Sequence, residues 1–151
     1  MFTLLGPASL HGMTPHPNLI KTQAAWDGIA RNDLMPAAEI TAPDVQMSHG
    51  PGAGPFAGPG RGLDRVMEMS LYFGEVFAGT WHQSGQCVYA DDACSVTLVH
   101  ETGTADKGVF DNRALWISRF GADGLIDALW TIDLDQERVS EFWQAHSDAS
   151  T

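Results

Sequence analysis

Two histidines, a tyrosine and an aspartate in this sequence could carry acid–base chemistry: His49, His100, Tyr89 and Asp133. A neutral imidazole titrates close to working pH, so it takes or gives a proton without large tuning, and a carboxylate in contact with it fixes its tautomer. A tyrosine hydroxyl can hold or protonate a developing oxyanion. Such a set suits proton abstraction beside a carbonyl, epoxide opening, or ring closure by an internal hydroxyl. Other chemistries find less support. The six histidines form no His-x-His and no HExxH, and the two cysteines are not at ligand spacing, so neither a metal nor another cofactor is expected. Nothing local lowers the thiol pKa of Cys87 or Cys94, which read as packed thiols. Each candidate also has a plainer role. His49 precedes a glycine-rich run and could simply be exposed, and His100 could be satisfied by solvent. Tyr89 could be a core aromatic, and Asp133 could cap the helix that begins at "LDQERV".

The elements that must position these residues follow from periodicity. Residues 1–17, with Gly6, Pro7, Gly12, Pro15 and Pro17, read as an arm, residues 18–146 as one domain, and 147–151 as a tail. Asn18 is the expected N-cap of a helix carrying Leu19, Thr22, Trp26, Ile29 and Ala30 at helical spacing, and a short helical segment spans Leu34 to Ile40. "DVQMSH" then reads as a strand, and Leu63, Val66, Ser70, Phe73 and Phe77 form the stripe of a third helix. From Thr80 the period changes to two, giving four strands of an antiparallel meander and then a C-terminal helix, "DQERVSEFWQAH".

A turn at Asp91-Asp92 pairs Tyr89 with Cys94 and Cys87 with Val96. In that register Trp81, Gln83, Cys87 and Tyr89 share an inward face with Cys94, Val96, Leu98 and His100, while Ser95, Thr97 and Glu101 face out. The two thiols then stand roughly 7–8 Å apart on the diagonal, beyond disulfide reach. Asp111 and Arg113 alternate to the outer face and read as a surface or interface ion pair. Both faces of the last two strands are apolar, with Leu115, Ile117, Trp130 and Ile132 opposite Trp116 and Thr131, which a homodimer interface on the outer face would explain.

Between His49 and Leu63 stand six glycines and three prolines. "GAGPFA" formally fits a dinucleotide-binding pattern, but Pro55 removes a backbone donor there, and the Lys-Ser/Thr of a P-loop is missing. Eight basic against nineteen acidic residues leave a net charge of −11, which repels nucleic acid and anionic membranes but not a neutral small molecule. No apolar run approaches a membrane span and the N-terminus lacks the pattern of a signal peptide, so a cytoplasmic protein is expected.

Taken in order, these signals resemble a known group. They are a helix ending in Asn32-Asp33, a strand ending near "SHGPG", "FAGPGRGLDRV" opening a helix, "VYADDACSVTLVHETG", "RFGADGLIDALWTIDLDQ" and a terminal "EFW". The set resembles the SnoaL-like polyketide cyclase group of the nuclear transport factor 2-like superfamily over residues 18–143. The resemblance implies an α+β fold, a cone-shaped barrel of N-terminal helices packed on a curved, mostly antiparallel sheet, often dimeric, with a deep apolar pocket. It does not carry over the known catalytic sets. The cyclases' histidine falls on Trp116 and their aspartate on Thr131. The ketosteroid isomerases' base position is occupied by His49, their oxyanion-hole acid again falls on Trp116, and their tyrosine matches nothing better than Ala25 or Trp26. The epoxide hydrolases' last-strand aspartate lands on Thr131.

The sequence therefore leads to a cofactor-independent acid–base enzyme, a cyclase or isomerase, acting on an apolar oxygenated small molecule such as a polyketide-like intermediate. His49 and His100 are expected to transfer protons, Asp133 to orient, and Tyr89 to donate a hydrogen bond. Trp26, Met47, Trp81, Leu98, Trp116 and Thr131 should shape the substrate wall, with Phe56 as a flap over the pocket mouth. A non-catalytic ligand-binding protein, an epoxide hydrolase or dehydratase, and a dimerisation module with a filled barrel are the competing expectations.

Overall fold

A computed structural model describes residues 14–50 and 54–147. Most of the expected arm and tail, and Pro51 to Ala53 of the glycine-rich run, lie outside the described residues. Helix α1 (Pro17–Ile29) begins with Pro17 in its first turn, where a missing N–H costs nothing. His16, not Asn18, caps it: the His16 ring nitrogen accepts the Asn18 N–H at 3.1 Å. Asn18 instead donates its side-chain amide to the Asp91 carbonyl at 2.8 Å, tying the helix to a turn of the sheet. Helix α2 (Met35–Glu39) leads into strand β1 (Thr41–His49).

The glycine-rich run holds more structure than a flap. After a short 3-10 turn at Gly54–Phe56, strand β2 (Gly58–Arg61) pairs antiparallel with β1 before helix α3 (Leu63–Val76). Strands β3 (His82–Ala90), β4 (Cys94–Ala105), β5 (Gly108–Phe120) and β6 (Ile126–Asp133) form the antiparallel meander, and helix α4 (Gln136–Ser147) follows. The six strands lie in the order β2-β1-β6-β5-β4-β3, with β1 parallel to β6, in one sheet.

The face assignment of β4 differs from the expectation. Ala90 pairs with Ser95 and Tyr89 with Val96, and a bulge at Val88 then sets Cys87 opposite Thr97, Gly85 opposite Val99 and Gln83 opposite Glu101. The Asp91 carboxylate fixes the turn by accepting the N–H groups of Ala93 and Cys94, each at 2.8 Å. Because side chains alternate with a period of two, this one-residue difference from the Cys87–Val96 pairing turns every β4 side chain over. Ser95, Thr97, Val99 and Glu101 are buried, while Leu98 and His100 are exposed. Both thiols are free.

Two apolar clusters close the interior at opposite ends of β5. At one end Phe110 joins Phe56, Phe73, Phe77, Val139 and Trp143; at the other Phe120 joins Val45, Met47 and Ile126. Between them the inner face of β5 carries Asn112, Ala114, Trp116 and Ser118, so its polar groups are placed in mid-cone. The helices come close to the sheet only because glycines allow it. A Cβ on Gly85 would meet the Trp26 ring at 2.4 Å, and one on Gly103 would meet the Phe77 ring at 2.5 Å.

Candidate functional site

His49, the last residue of β1, is the innermost of the expected catalytic groups. The parallel register places it opposite Thr131 of β6, and their side chains meet with Nδ1 and Oγ1 2.9 Å apart. The indole of Trp116 stands edge-on to the ring at 6.2 Å between centroids, and packs edge-on in turn against Trp26 at 5.0 Å. The other nitrogen, Nε2, is buried without a hydrogen-bond partner among the described residues. Burial, and then the positive charge of Arg65, hold the ring's pKa below its ordinary value, so His49 is a neutral base at pH 7.

His49 lines a small cavity of about 30 Å³ together with Thr131, Trp116, Gln83, Glu101, Asn112 and Asp133, its other walls being mainly aromatic. The four amide and carboxyl side chains form one hydrogen-bonded cluster. Gln83 donates to Glu101 Oε1 at 2.8 Å, and Asn112 Nδ2 donates to both Glu101 Oε2 (3.0 Å) and Asp133 Oδ1 (2.8 Å). Burial raises the Glu101 pKa, against the pull of the Asn112 and Gln83 hydrogen bonds, and the nearby Asp133 charge raises it further. Asp133 is raised as well, by burial against its bond to Asn112. Asp133 is therefore not the cap of α4; that role falls to Asp135, which accepts the Arg138 N–H at 3.1 Å. Gly50 lies beside this carboxylate, where a Cβ would make ordinary van der Waals contact with Asp133 Oδ2.

A second, larger cavity of about 250 Å³ adjoins the first, and Met69, Gln83 and Trp116 line both. Trp26 and Met47 stand in its wall with Val45, Leu129 and the apolar sides of α1, α2 and α3. No charged side chain lines it among the described residues.

Four expected site residues lie elsewhere. His100 points out of the sheet, where its Nε2 is 2.8 Å from Asp111 Oδ1, so Asp111 pairs with His100 rather than with Arg113. Leu98 is exposed on the same outer face. The bulge at Val88 turns Tyr89 outward, where its hydroxyl donates to Asp91 at 2.7 Å. Phe56 is buried in the aromatic cluster beneath the Arg65 guanidinium, 4.5 Å from its ring, and lines neither cavity. Trp81 and Thr131 do line the polar cavity.

Sequence reasoning passed over Glu101 and Asn112. The alternation of Phe110, Asn112, Ala114 and Trp116 on β5 could have brought Asn112 inward. Glu101 depended on the β3–β4 register, which the bulge at Val88 sets and strand alternation does not reveal.

A curved six-stranded sheet carrying helices over a lined interior is the cone-shaped α+β fold seen in nuclear transport factor 2-like proteins. No family model matches the sequence, and no curated protein matches it. Solved structures do. A nuclear transport factor 2-like protein from Burkholderia pseudomallei superposes with a TM-score of 0.66 at 20% identity, covering 81% of this chain and 94% of that one. TerC, co-crystallised with polyporic acid, superposes with a TM-score of 0.67 at 17% identity over 83% and 98% of the two chains. IdmH from Streptomyces antibioticus, for which polyketide cyclisation is the suggested activity, gives a TM-score of 0.64 at 19% identity over 86% and 99%.

Proposed function

We propose that this chain is an acid–base enzyme, a cyclase or isomerase, that works without a cofactor on a neutral, apolar, oxygenated small molecule of polyketide-like character. One observation carries the reading: a half-buried imidazole, anchored through Nδ1 by Thr131, has a buried Nε2 without a partner and lines a cavity that adjoins an uncharged apolar chamber. Buried side-chain polar atoms are mostly hydrogen-bonded, so an unpartnered Nε2 on a residue that lines a cavity is open to a ligand. With Nδ1–H donated to Thr131, Nε2 offers a lone pair to a substrate proton. The imidazolium so formed is disfavoured by burial and by Arg65, so it returns the proton readily to another atom of the same substrate. That is the proton balance of an isomerisation or an internal ring closure. The uncharged chamber favours an apolar substrate body, in keeping with the polyporic acid bound by TerC and the activity suggested for IdmH.

The test begins with native mass spectrometry of the purified protein to identify a copurified compound, followed by turnover of that compound. His49→Gln should lower kcat by about 100-fold or more, whereas His100→Gln, on the outer face, should leave it within about threefold. Full activity in His49→Gln would overturn the reading. Tight binding with no turnover by the unaltered protein would favour a ligand-binding role on the same scaffold.

We also propose that a second copy of the chain covers the outer face of the sheet. Cross-strand rows there join Leu98, Leu115 and Ile132, and Val96, Ile117 and Trp130. Leu98, Trp130 and Ile132 are 45%, 40% and 43% exposed, a contiguous apolar patch of the kind that marks an interface.

A further inference from the structure

Two residues that line the polar cavity, His49 and Asn112, each carry a buried side-chain atom without a hydrogen-bond partner among the described residues, Nε2 and Oδ1. Such atoms are costly in a folded interior, and two of them on residues that share one cavity point to a group that both can bond. The orientation of the Asn112 amide follows from its neighbours. Nδ2 lies between Glu101 Oε2 and Asp133 Oδ1; one NH₂ group can donate to both, whereas an amide oxygen there would need a proton from each carboxyl at once, so the NH₂ end faces the carboxyls and Oδ1 is left over. Oδ1 is an obligate acceptor. His49 Nε2 is also an acceptor when Nδ1–H is donated to Thr131. The cavity holds about 30 Å³, space for one or two non-hydrogen atoms beyond the apolar chamber.

We propose that Asn112 is a specificity-determining residue whose Oδ1 accepts a hydrogen bond from a hydroxyl of the ligand, so that the site selects alcohols, phenols or enols over the corresponding ketones and ethers. The inference rests on the acid–base reading above for the identity of the pocket, and it goes beyond it in naming the functional group that enters. An apolar ligand seated in the large chamber would pass its hydroxyl between Gln83 and Trp116, which line both cavities. A carbonyl or ether oxygen in the same position has no proton for Asn112 Oδ1 and would leave it unsatisfied. A site built to bond a substrate O–H rejects the analogue lacking it far more strongly than an apolar pocket rejects a missing methylene.

The experiment is calorimetric titration of the whole protein with 2-naphthol, 2-methoxynaphthalene and 2-acetylnaphthalene, which share one ring system and differ in the proton. The expected result is 2-naphthol binding at least about tenfold more tightly than either analogue. Asn112→Leu should shrink that gap to less than about threefold while 2-methoxynaphthalene affinity changes little. Because this variant also removes the donor shared by Glu101 and Asp133, a crystal structure of the unaltered protein with 2-naphthol serves as a second measurement. It should show the naphthol oxygen within hydrogen-bond distance of Asn112 Oδ1. Equal affinities, a hydroxyl preference that survives in Asn112→Leu, or a naphthol oxygen placed elsewhere would each overturn the inference. So would a preference for the ketone, which would mean that the amide presents its NH₂ to the cavity. Loss of the hydroxyl preference alongside a His49→Gln turnover defect sinks this inference alone. The preference alongside full His49→Gln activity sinks the acid–base reading alone.

Discussion

His49 and Glu101 are both titratable groups pushed toward their neutral forms, and the consequences run in opposite directions with pH. The His49 pKa lies below its ordinary 6.5 in the folded chain, so between the two values the unfolded chain binds more protons and stability falls as pH drops. The Glu101 pKa lies above its ordinary 4.5, so the folded chain holds the extra proton and stability falls as pH rises through that window. Thermal melts should show this separation. Relative to His49→Gln, the unaltered protein loses stability on acidification below 6.5; relative to Glu101→Gln, it loses stability as pH rises above 4.5. Reversed slopes would mean that folding shifts the two pKa values the other way. Catalysis carries a related signature. The acid limb of kcat/KM should lie below 6.5, and Arg65→Gln should shift it to higher pH by removing one cause of the depression. A limb that Arg65→Gln leaves in place would remove Arg65 from the field acting on His49.

At the scale of elements, the site depends on how closely α1 approaches β3. Gln23 of α1 donates to the Gly85 carbonyl at 3.0 Å and accepts the Cys87 N–H at 2.8 Å, completing backbone hydrogen bonds on this edge strand. Trp26 then lies over Gly85, where any larger residue would displace the indole from its edge-on contact with Trp116. Gly85→Ala should therefore cost about 1–3 kcal/mol in denaturant unfolding and should also weaken ligand binding in the apolar chamber. A variant as stable as the parent would show that α1 is free to move away. The same strand shows what was legible in the sequence. Its inward set of Trp81, Gln83 and Cys87 follows from alternation, but the bulge at Val88 does not, and it decides where Tyr89 points.

For the whole molecule, a net charge of −11 over an apolar outer face sets solubility against self-association. No described helix is long and apolar enough to cross a membrane. Covering Leu98, Trp130 and Ile132 with a second copy resolves the exposure, and sedimentation velocity provides the check. The unaltered chain should sediment as a dimer, and Leu98→Glu with Ile132→Glu should convert it to a monomer. A monomeric parent at micromolar concentration would reject the interface. His100 and Asp111 lie on this same outer face, 2.8 Å apart.

Much of the architecture is local in origin and could be read from the sequence. The helical stripe of Leu63 to Phe77, the period-two runs after Thr80, and the terminal "EFW" helix each reflect nearest-neighbour patterning. The position of His49 at the end of its strand was legible for the same reason. Tertiary structure decided the rest. The parallel pairing of β1 with β6 brings His49 to Thr131 across 82 residues, and no local signal encodes that contact. The bulge in β3 and the four-residue turn at Asp91 set the β4 register, exchanging His100 for Glu101 on the inner face. With Cys94, Val96 and Leu98 apolar on one side and Val99 on the other, burial grounds alone would have turned the first face inward. Only pairing with the neighbouring strands selected the face that carries the acid.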